Sequence, residues 1–349
     1  MKPSTSKALL LLLCTISYAI QLTNASAGDR SVSFQNCIYS CKLRNCRSSG
    51  ADDVPTVAED NIPQTLPLSL RLTRWTCKDD CAYWCMHQLT DDAITQGKPI
   101  LQYYGKWPFW RVLGMQEPAS VFFSLMNLWV HVRGYKGVEG RVPNTHPMKM
   151  YLLLWSVVSM NAWICSAVFH VRDKPTTEKL DYFSAALVFI VALYTVVSRF
   201  FFFGRPSRRT LYNLWTLICI TAYISHVSYL SLLPRFDYTY NIMFNLIIGL
   251  LHNFLWLLYS LPQSFTIIRR FPPSPMPRDY RPRCAWKAAL SVSLTMGAMS
   301  LELLDFHPIG RVLDAHALWH AATAPIAELW YGFLIEDALD DGWKVERLQ

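Results

Sequence analysis

The stretch HPMKMYLLLWSVVSMNAWICSAVFHV, residues 146–171, decides what kind of molecule this is. It is predominantly apolar and long enough to cross the roughly 30 Å hydrocarbon core of a bilayer as a helix. Its end carries Ser166 and His170, four residues apart and therefore on one helix face. Outward from it lie six further apolar blocks, at about 119–134, 180–203, 211–233, 240–261, 285–306 and 313–336, of which the first is the shortest. The chain has 349 residues, 52% hydrophobic, 14% aromatic and 17% charged. Soluble proteins carry about 25% charged residues, so a soluble globular enzyme is excluded, as are a disordered chain and a fibrous repeat. The net charge of +8 does not indicate nucleic acid. The basic residues sit in short loops between apolar blocks, as membrane proteins place them, and 13 Trp, 17 Tyr and 18 Phe suit interfacial aromatic belts.

The reading is an all-α membrane protein, a seven-transmembrane helix bundle preceded by a small disulfide-rich lumenal domain. Residues 1–27 read as a signal peptide: Lys2 and Lys7, a short apolar run over 9–20, then the small-x-small pattern Ala25-Ser26-Ala27. An uncleaved anchor is the rival reading. The one sequon, at Asn24, precedes the expected cut. Residues 28–115 hold Cys37, Cys41, Cys46, Cys77, Cys81 and Cys85 in two clusters of three. In a translocated segment this even count reads as three disulfides, whose pairing the spacing leaves open among 15 arrangements. The i, i+4 intervals put each cluster on one helix face, so two short helices stapled side by side are expected. Zinc binding by these cysteines is the rival. Residues 116–336 form the membrane core and 337–349 a cytosolic tail.

With the N-terminus lumenal, the cytosolic loops carry Arg133, Lys136, Arg141, Arg205, Arg208, Arg209, Arg269, Arg270, Arg278, Arg281 and Arg283. The lumenal loops between spans carry only Arg172, Lys174, Lys179, Arg235 and Arg311, so the bias supports this orientation. The proline-rich loop 262–284 is expected to be extended.

The orientation places one set of polar groups at a common depth. The last span holds His316 and His320, i and i+4, a spacing that lets two imidazoles reach one metal. Ser166 and His170 end the second span at the lumen, and Asp181 opens the third there. Three histidines with an open fourth position suit a catalytic Zn2+, which lowers the pKa of bound water to near 7. Other divalent ions accept the same donors. Asp181 could take the proton or orient a histidine, and Ser166 could hydrogen-bond a developing oxyanion. The bland alternative is that each histidine packs at an interface or bonds a neighbouring helix. His131, His146, His226 and His252 have no partner at helical spacing and read as packing residues. Glu302, Asp305, Asp314 and Glu328 are weaker candidates, with Glu302 the best placed, and His307 could touch a head group.

The pattern Ser-x3-His, Asp eleven residues on, and His-x3-His in the last span resembles the CREST superfamily of seven-span hydrolases. Several segments bring the chain closer to its post-GPI-attachment lipid-remodelling family. They are Asn36-Cys37 through Trp84-Cys85, Gln102-Tyr103-Tyr104-Gly105-Lys106-Trp107-Pro108-Phe109, Asn144-Thr145-His146-Pro147, Asn161-Ala162-Trp163, Leu180-Asp181-Tyr182-Phe183 and Asp314-Ala315-His316-Ala317-Leu318-Trp319-His320. The resemblance implies a multi-pass Golgi membrane protein, with the ER membrane as alternative. It implies removal of the sn-2 acyl chain from GPI-anchored proteins among membrane lipids, a phospholipase A2-type reaction that precedes reacylation. Catalytic roles then fall to Ser166 and Asp181, and metal ligation to His170, His316 and His320. The competing readings are a ceramide-type amide hydrolase and a non-enzymatic seven-span receptor or folding factor with a structural metal site. The cysteine domain would cap the site, bind the glycan or support folding.

Overall fold

A computed structural model describes residues 27–46, 66–203, 206–272 and 276–344. The predicted signal peptide, apart from its last residue, lies outside them. The described residues form helices and loops, with isolated β-bridges and no strands. Three helices come first: α1 (Val32–Asn45), the short α2 (Leu68–Leu72) and α3 (Cys77–Thr95). Seven helices of 20 to 26 residues follow: α4 (Pro118–Arg141), α5 (Lys149–Val171), α6 (Pro175–Phe200), α7 (Arg209–Leu232), α8 (Tyr238–Ser260), α9 (Ala285–Leu304) and α10 (Ala315–Leu339). Each predicted span falls on one of these. Four of them, α5 to α8, are long and apolar enough to cross a membrane. Charged and polar side chains dilute the apolar character of α4, with Arg133, Lys136 and Glu139, and of α10, with Glu328, Glu336 and Asp337.

The chain divides into two compact units. One comprises Met1–Val121, His170–Asp173 and Leu303–Ala315. Its core is α1 against α3. Ser31 caps α1 by accepting from the Phe34 amide, and Thr76 and Asp79 form a reciprocal capping box that starts α3. Three disulfides join the helices in nested order: Cys37–Cys85, Cys41–Cys81 and Cys46–Cys77. First pairs with last because the two helices run antiparallel, which the spacing alone did not reveal. Phe34, fully buried, packs against Cys85 and Tyr103, with ring centroids of Phe34 and Tyr103 4.7 Å apart. Tight turns follow. Tyr104 and Gly105 both have positive φ between Tyr103 and Lys106, the pattern of a type I′ turn.

In the same unit Arg311, at φ +57°, donates to His87 Nδ1 at 2.9 Å and to Asp91 at 2.5 Å. A guanidinium only donates, so His87 Nδ1 accepts, and its Nε2–H donates to the Phe109 carbonyl at 3.1 Å. Trp110 stacks on the imidazole at 3.9 Å. Burial, helped by the neighbouring Arg311 and Arg111 charges, pushes the His87 pKa down to about 4, against partial opposition from the Phe109 carbonyl and Asp91. Between about 4 and the unfolded value near 6.5 the unfolded chain therefore binds the extra proton, so stability rises with pH across that window and falls on acidification. The melting temperature of the full-length protein is expected to drop as pH is lowered from 6.5 to 4. His87→Asn, which keeps an acceptor for Arg311 but cannot titrate, should flatten that slope. An unchanged slope would show that His87 is not the group responsible.

The second unit comprises Phe122–Phe169, Lys174–Glu302 and His316–Gln349. Within it α6 packs on α7 and α8. Helix α7 exposes Leu211, Leu214, Leu217, Ile220, Ile224 and Leu232. So many outward apolar side chains suit hydrocarbon rather than water. A hydrophobic core lies where α4, α6, α8 and α10 end and α5 and α9 begin, and includes Val138, Leu152, Val196, Trp256, Tyr259, Ala288, Tyr331 and Phe333. There Asp337 of α10 accepts from Arg199 of α6 at 2.8 and 2.6 Å and from the Tyr259 hydroxyl at 2.6 Å. Arg199 also donates to the Arg270 carbonyl. Arg270 differs from its expected place in an extended loop. It is buried and donates to the carbonyls of Tyr259, Leu261, Asp279 and Tyr280. This guanidinium holds the described parts of 261–284 against the helix ends.

Candidate functional site

At the opposite ends of the same helices the second unit gathers a polar group. Ser166, buried in the last turns of α5, lies 3.1 Å from the Ser124 hydroxyl of α4. Ser124, fully buried, is also 3.0 Å from His320 Nδ1. The His320 carbonyl accepts from Asn127 Nδ2 at 2.7 Å and from the Thr323 hydroxyl at 2.8 Å. Pro325 sits inside α10, has no N–H for the Ala321 carbonyl and crowds it, which loosens this turn. Trp163 sets its ring edge-to-face with His320 at 5.2 Å. His316, one turn earlier, has its ring 4.5 Å from that of His320 and its Nδ1 2.8 Å from Glu302 of α9. Asp181 is half-buried in the second turn of α6, and it, Glu178 and Glu302 lie within electrostatic reach of Tyr182.

The first unit holds the remaining predicted ligand. His170 ends α5 one turn beyond Ser166, is buried, and points Nδ1 at Glu117 Oε2, 2.9 Å away. Glu117 immediately precedes Pro118, the first residue of α4. Its amide donates to the His170 carbonyl at 3.0 Å, and the Gln116 amide donates to Val171 likewise. Its other carboxylate oxygen accepts from Lys106 Nζ, which also lies 3.3 Å from Asp173. Burial alone would raise the Glu117 carboxyl. The adjacent Lys106 and His170 charges overcome it and hold the group well below the usual carboxylate range. Burial likewise opposes the charge on Lys106, and Glu117 with Asp173 reverses that effect and raises its pKa.

All three histidines thus direct Nδ1 to a fixed partner: Glu117, Glu302 and Ser124. A carboxylate beside Nδ1 draws the ring proton there and leaves Nε2 with a lone pair, the form that binds metal. Among the described residues Cys46, Cys77 and Cys81 have ligand atoms within 4.8 Å of one another. Disulfides occupy all three, so the zinc reading of the cysteine clusters does not apply. Four other histidines contact neighbours within the second unit. His131 bonds the Tyr331 hydroxyl at 2.8 Å, His252 accepts from Trp256, His146 accepts from the Met148 amide and His226 stacks on Phe244 at 4.0 Å.

The sequence reading missed Glu117 and Ser124. They belong to the series Glu117, Ser120, Ser124, Asn127, His131, each buried and spaced three or four residues apart. That is one helical stripe of polar residues on an apolar helix, and its period is the signal that identifies it.

Residues 67–338 match the model of the Per1-like family. The chain is 39% identical to the protein PER1 homolog of Schizosaccharomyces pombe, over 89% of this chain and 87% of that one. It is 37% identical to post-GPI attachment to proteins factor 3 of Drosophila melanogaster, over 94% of each. It is likewise 37% identical to the GPI-specific phospholipase A2-like PGAP3 of Mus musculus, again over 94% of each. No solved structure matches. On the extent of these matches, the chain belongs to the Per1-like family.

Proposed function

We propose that this protein is a metal-dependent lipid hydrolase that removes the sn-2 acyl chain from GPI-anchored proteins, in the manner of a phospholipase A2. The observation that carries the reading is that His170, His316 and His320 each have Nδ1 held by a partner of their own. The names of the fly and mouse relatives, which refer to GPI attachment and to a GPI-specific phospholipase A2-like activity, point to the same substrate. The three imidazoles would hold Zn2+, since neutral nitrogen donors with one open position fit that ion. When bound, it supplies a Lewis acid and lowers the pKa of a coordinated water.

The protein's own groups supply the rest. Asp181 takes a proton from the attacking water as its oxygen adds to the sn-2 carbonyl carbon. Ser166 donates a hydrogen bond to the oxygen that gains charge in the tetrahedral state. The ester C–O bond then breaks, and Asp181 returns the proton to the departing lyso-GPI alkoxide, leaving a free fatty acid. Ser124, bonded to both Ser166 and His320, fixes the hydroxyl relative to the ligand. The compartment proposed is the Golgi membrane, with the cysteine domain lumenal and the C-terminus cytosolic. Three disulfides in that domain support an oxidising side, and a lumenal site meets a substrate whose protein and glycan project into the lumen.

Purified protein in mixed micelles with a GPI-anchored protein should release fatty acid and lyso-GPI, read by lipid mass spectrometry. Asp181→Asn should slow release by about 10²- to 10⁴-fold at unchanged metal content. Turnover of ceramide in place of GPI would transfer the site to amide hydrolysis. No turnover of either, with wild-type GPI acyl composition in cells carrying only Asp181→Asn, would leave the metal group a structural role.

A further inference from the structure

We infer that Lys106 and Glu117 are positioning residues for the metal centre, through which the disulfide-bonded domain sets the ring form of His170. The inference rests on the three-histidine reading and adds to it a role for that domain. The path is continuous within one compact unit. Cys37–Cys85 and Phe34 pack on Tyr103. Tyr103 and Lys106 exchange backbone hydrogen bonds of 2.8 and 3.0 Å across the Tyr104-Gly105 turn, which fixes where the lysine emerges. Lys106 meets Glu117, and Glu117 meets His170 Nδ1 at 2.9 Å.

Each link has a chemical reason. Glu117 has a side-chain exposure of 6%, and a carboxylate so placed needs a cation to stay ionised. Lys106 is that cation, and its ammonium also lies 3.3 Å from Asp173, which is more exposed at 27%. An ionised Glu117 only accepts, so His170 must present N–H at Nδ1, and its lone pair is confined to Nε2. A Glu117 turned away from the ring would leave Nδ1 without its acceptor and free the ring to adopt the other tautomer, whose Nε2–H cannot bind metal. Partners of this kind set metal affinity by about 10- to 100-fold in known sites.

A buried ion pair with no role beyond packing would be replaceable by apolar residues at little loss, whereas a positioning pair would not. The test uses full-length protein in detergent, with zinc affinity measured by chelator competition and folding by melting temperature. Lys106→Met and Glu117→Leu singly should lower both, since each strands a buried charge or a buried amine. The double variant Lys106→Met/Glu117→Leu should regain melting temperature yet bind zinc about 10- to 100-fold more weakly than wild type. Wild-type zinc affinity in the double variant overturns the inference. Should that variant not accumulate, Glu117→Gln, nearly isosteric but uncharged, reads the same quantity: about tenfold weaker binding supports the inference, and unchanged binding overturns it. His320→Ala separates the two levels. Loss of zinc there, with wild-type affinity in the Lys106/Glu117 variants, sinks only this inference. Retention of zinc in His320→Ala removes the three-histidine reading and this inference with it.

Discussion

Replacing His320 with alanine is expected to abolish hydrolysis and release the metal while leaving the protein folded. The imidazole is nearly fully buried and lies 3.0 Å from the Ser124 hydroxyl and 4.5 Å, between ring centroids, from His316. On the proposed mechanism two histidines without the third would lose the donor set that makes a bound water acidic, so roughly 10³-fold or more of the rate should disappear. Ser124→Ala provides the graded comparison. It keeps all three histidines but removes the hydroxyl that orients His320 and Ser166, so about 10- to 100-fold should be lost. Metal content and initial rate, measured on the same preparations, check both. Equal activity in wild type and His320→Ala would show that the chemistry lies elsewhere.

The second large effect concerns folding. Asp337→Ala should reduce the amount of protein and its melting temperature more than any substitution in the exposed loops. Arg199 and Asp337 are 2% and 4% exposed, and the carboxylate receives two guanidinium bonds and the Tyr259 hydroxyl. Removing it strands a guanidinium in an apolar core, which costs about 3–5 kcal/mol. Arg199→Met/Asp337→Leu removes both charges and should recover much of that loss. The pair Arg133–Glu328, about half exposed on each side, is the contrast: its double alanine variant should shift stability by roughly 1 kcal/mol or less. Detergent-solubilised melting curves distinguish the two pairs. An Asp337→Ala protein as stable as wild type would mean that the guanidinium finds water or another anion.

Much of the fold was legible because apolar runs of bilayer length leave few alternatives, and each predicted span lies on a helix. Helix α4 extends past residue 134 to Arg141, although three glycines there suggest an ending. Gly134 continues the helix because the Tyr331 ring occupies the place of its side chain, where a Cβ would lie 2.3 Å from ring atoms. The histidines and Ser166 stood out by spacing. Ser124 and Glu117 did not, since single polar residues three or four apart are inconspicuous until their common face is traced. Lys106 was invisible as a site residue because it reaches Glu117 only after the turn at Tyr104-Gly105 folds. Disulfide pairing depends on helix direction, which cysteine spacing does not encode. Arg270 read as a loop cation, whereas the carbonyls at the helix ends bury it.

The proposed mechanism requires His170, His316 and His320 to share one metal ion, and X-ray absorption on the purified full-length protein reads this. One zinc per chain is expected, with nitrogen neighbours at about 2.0–2.1 Å, lost in His170→Ala as in His320→Ala. A chain purified without chelators that takes up no divalent metal, or a zinc whose spectrum is unchanged when His170 is replaced, would contradict it.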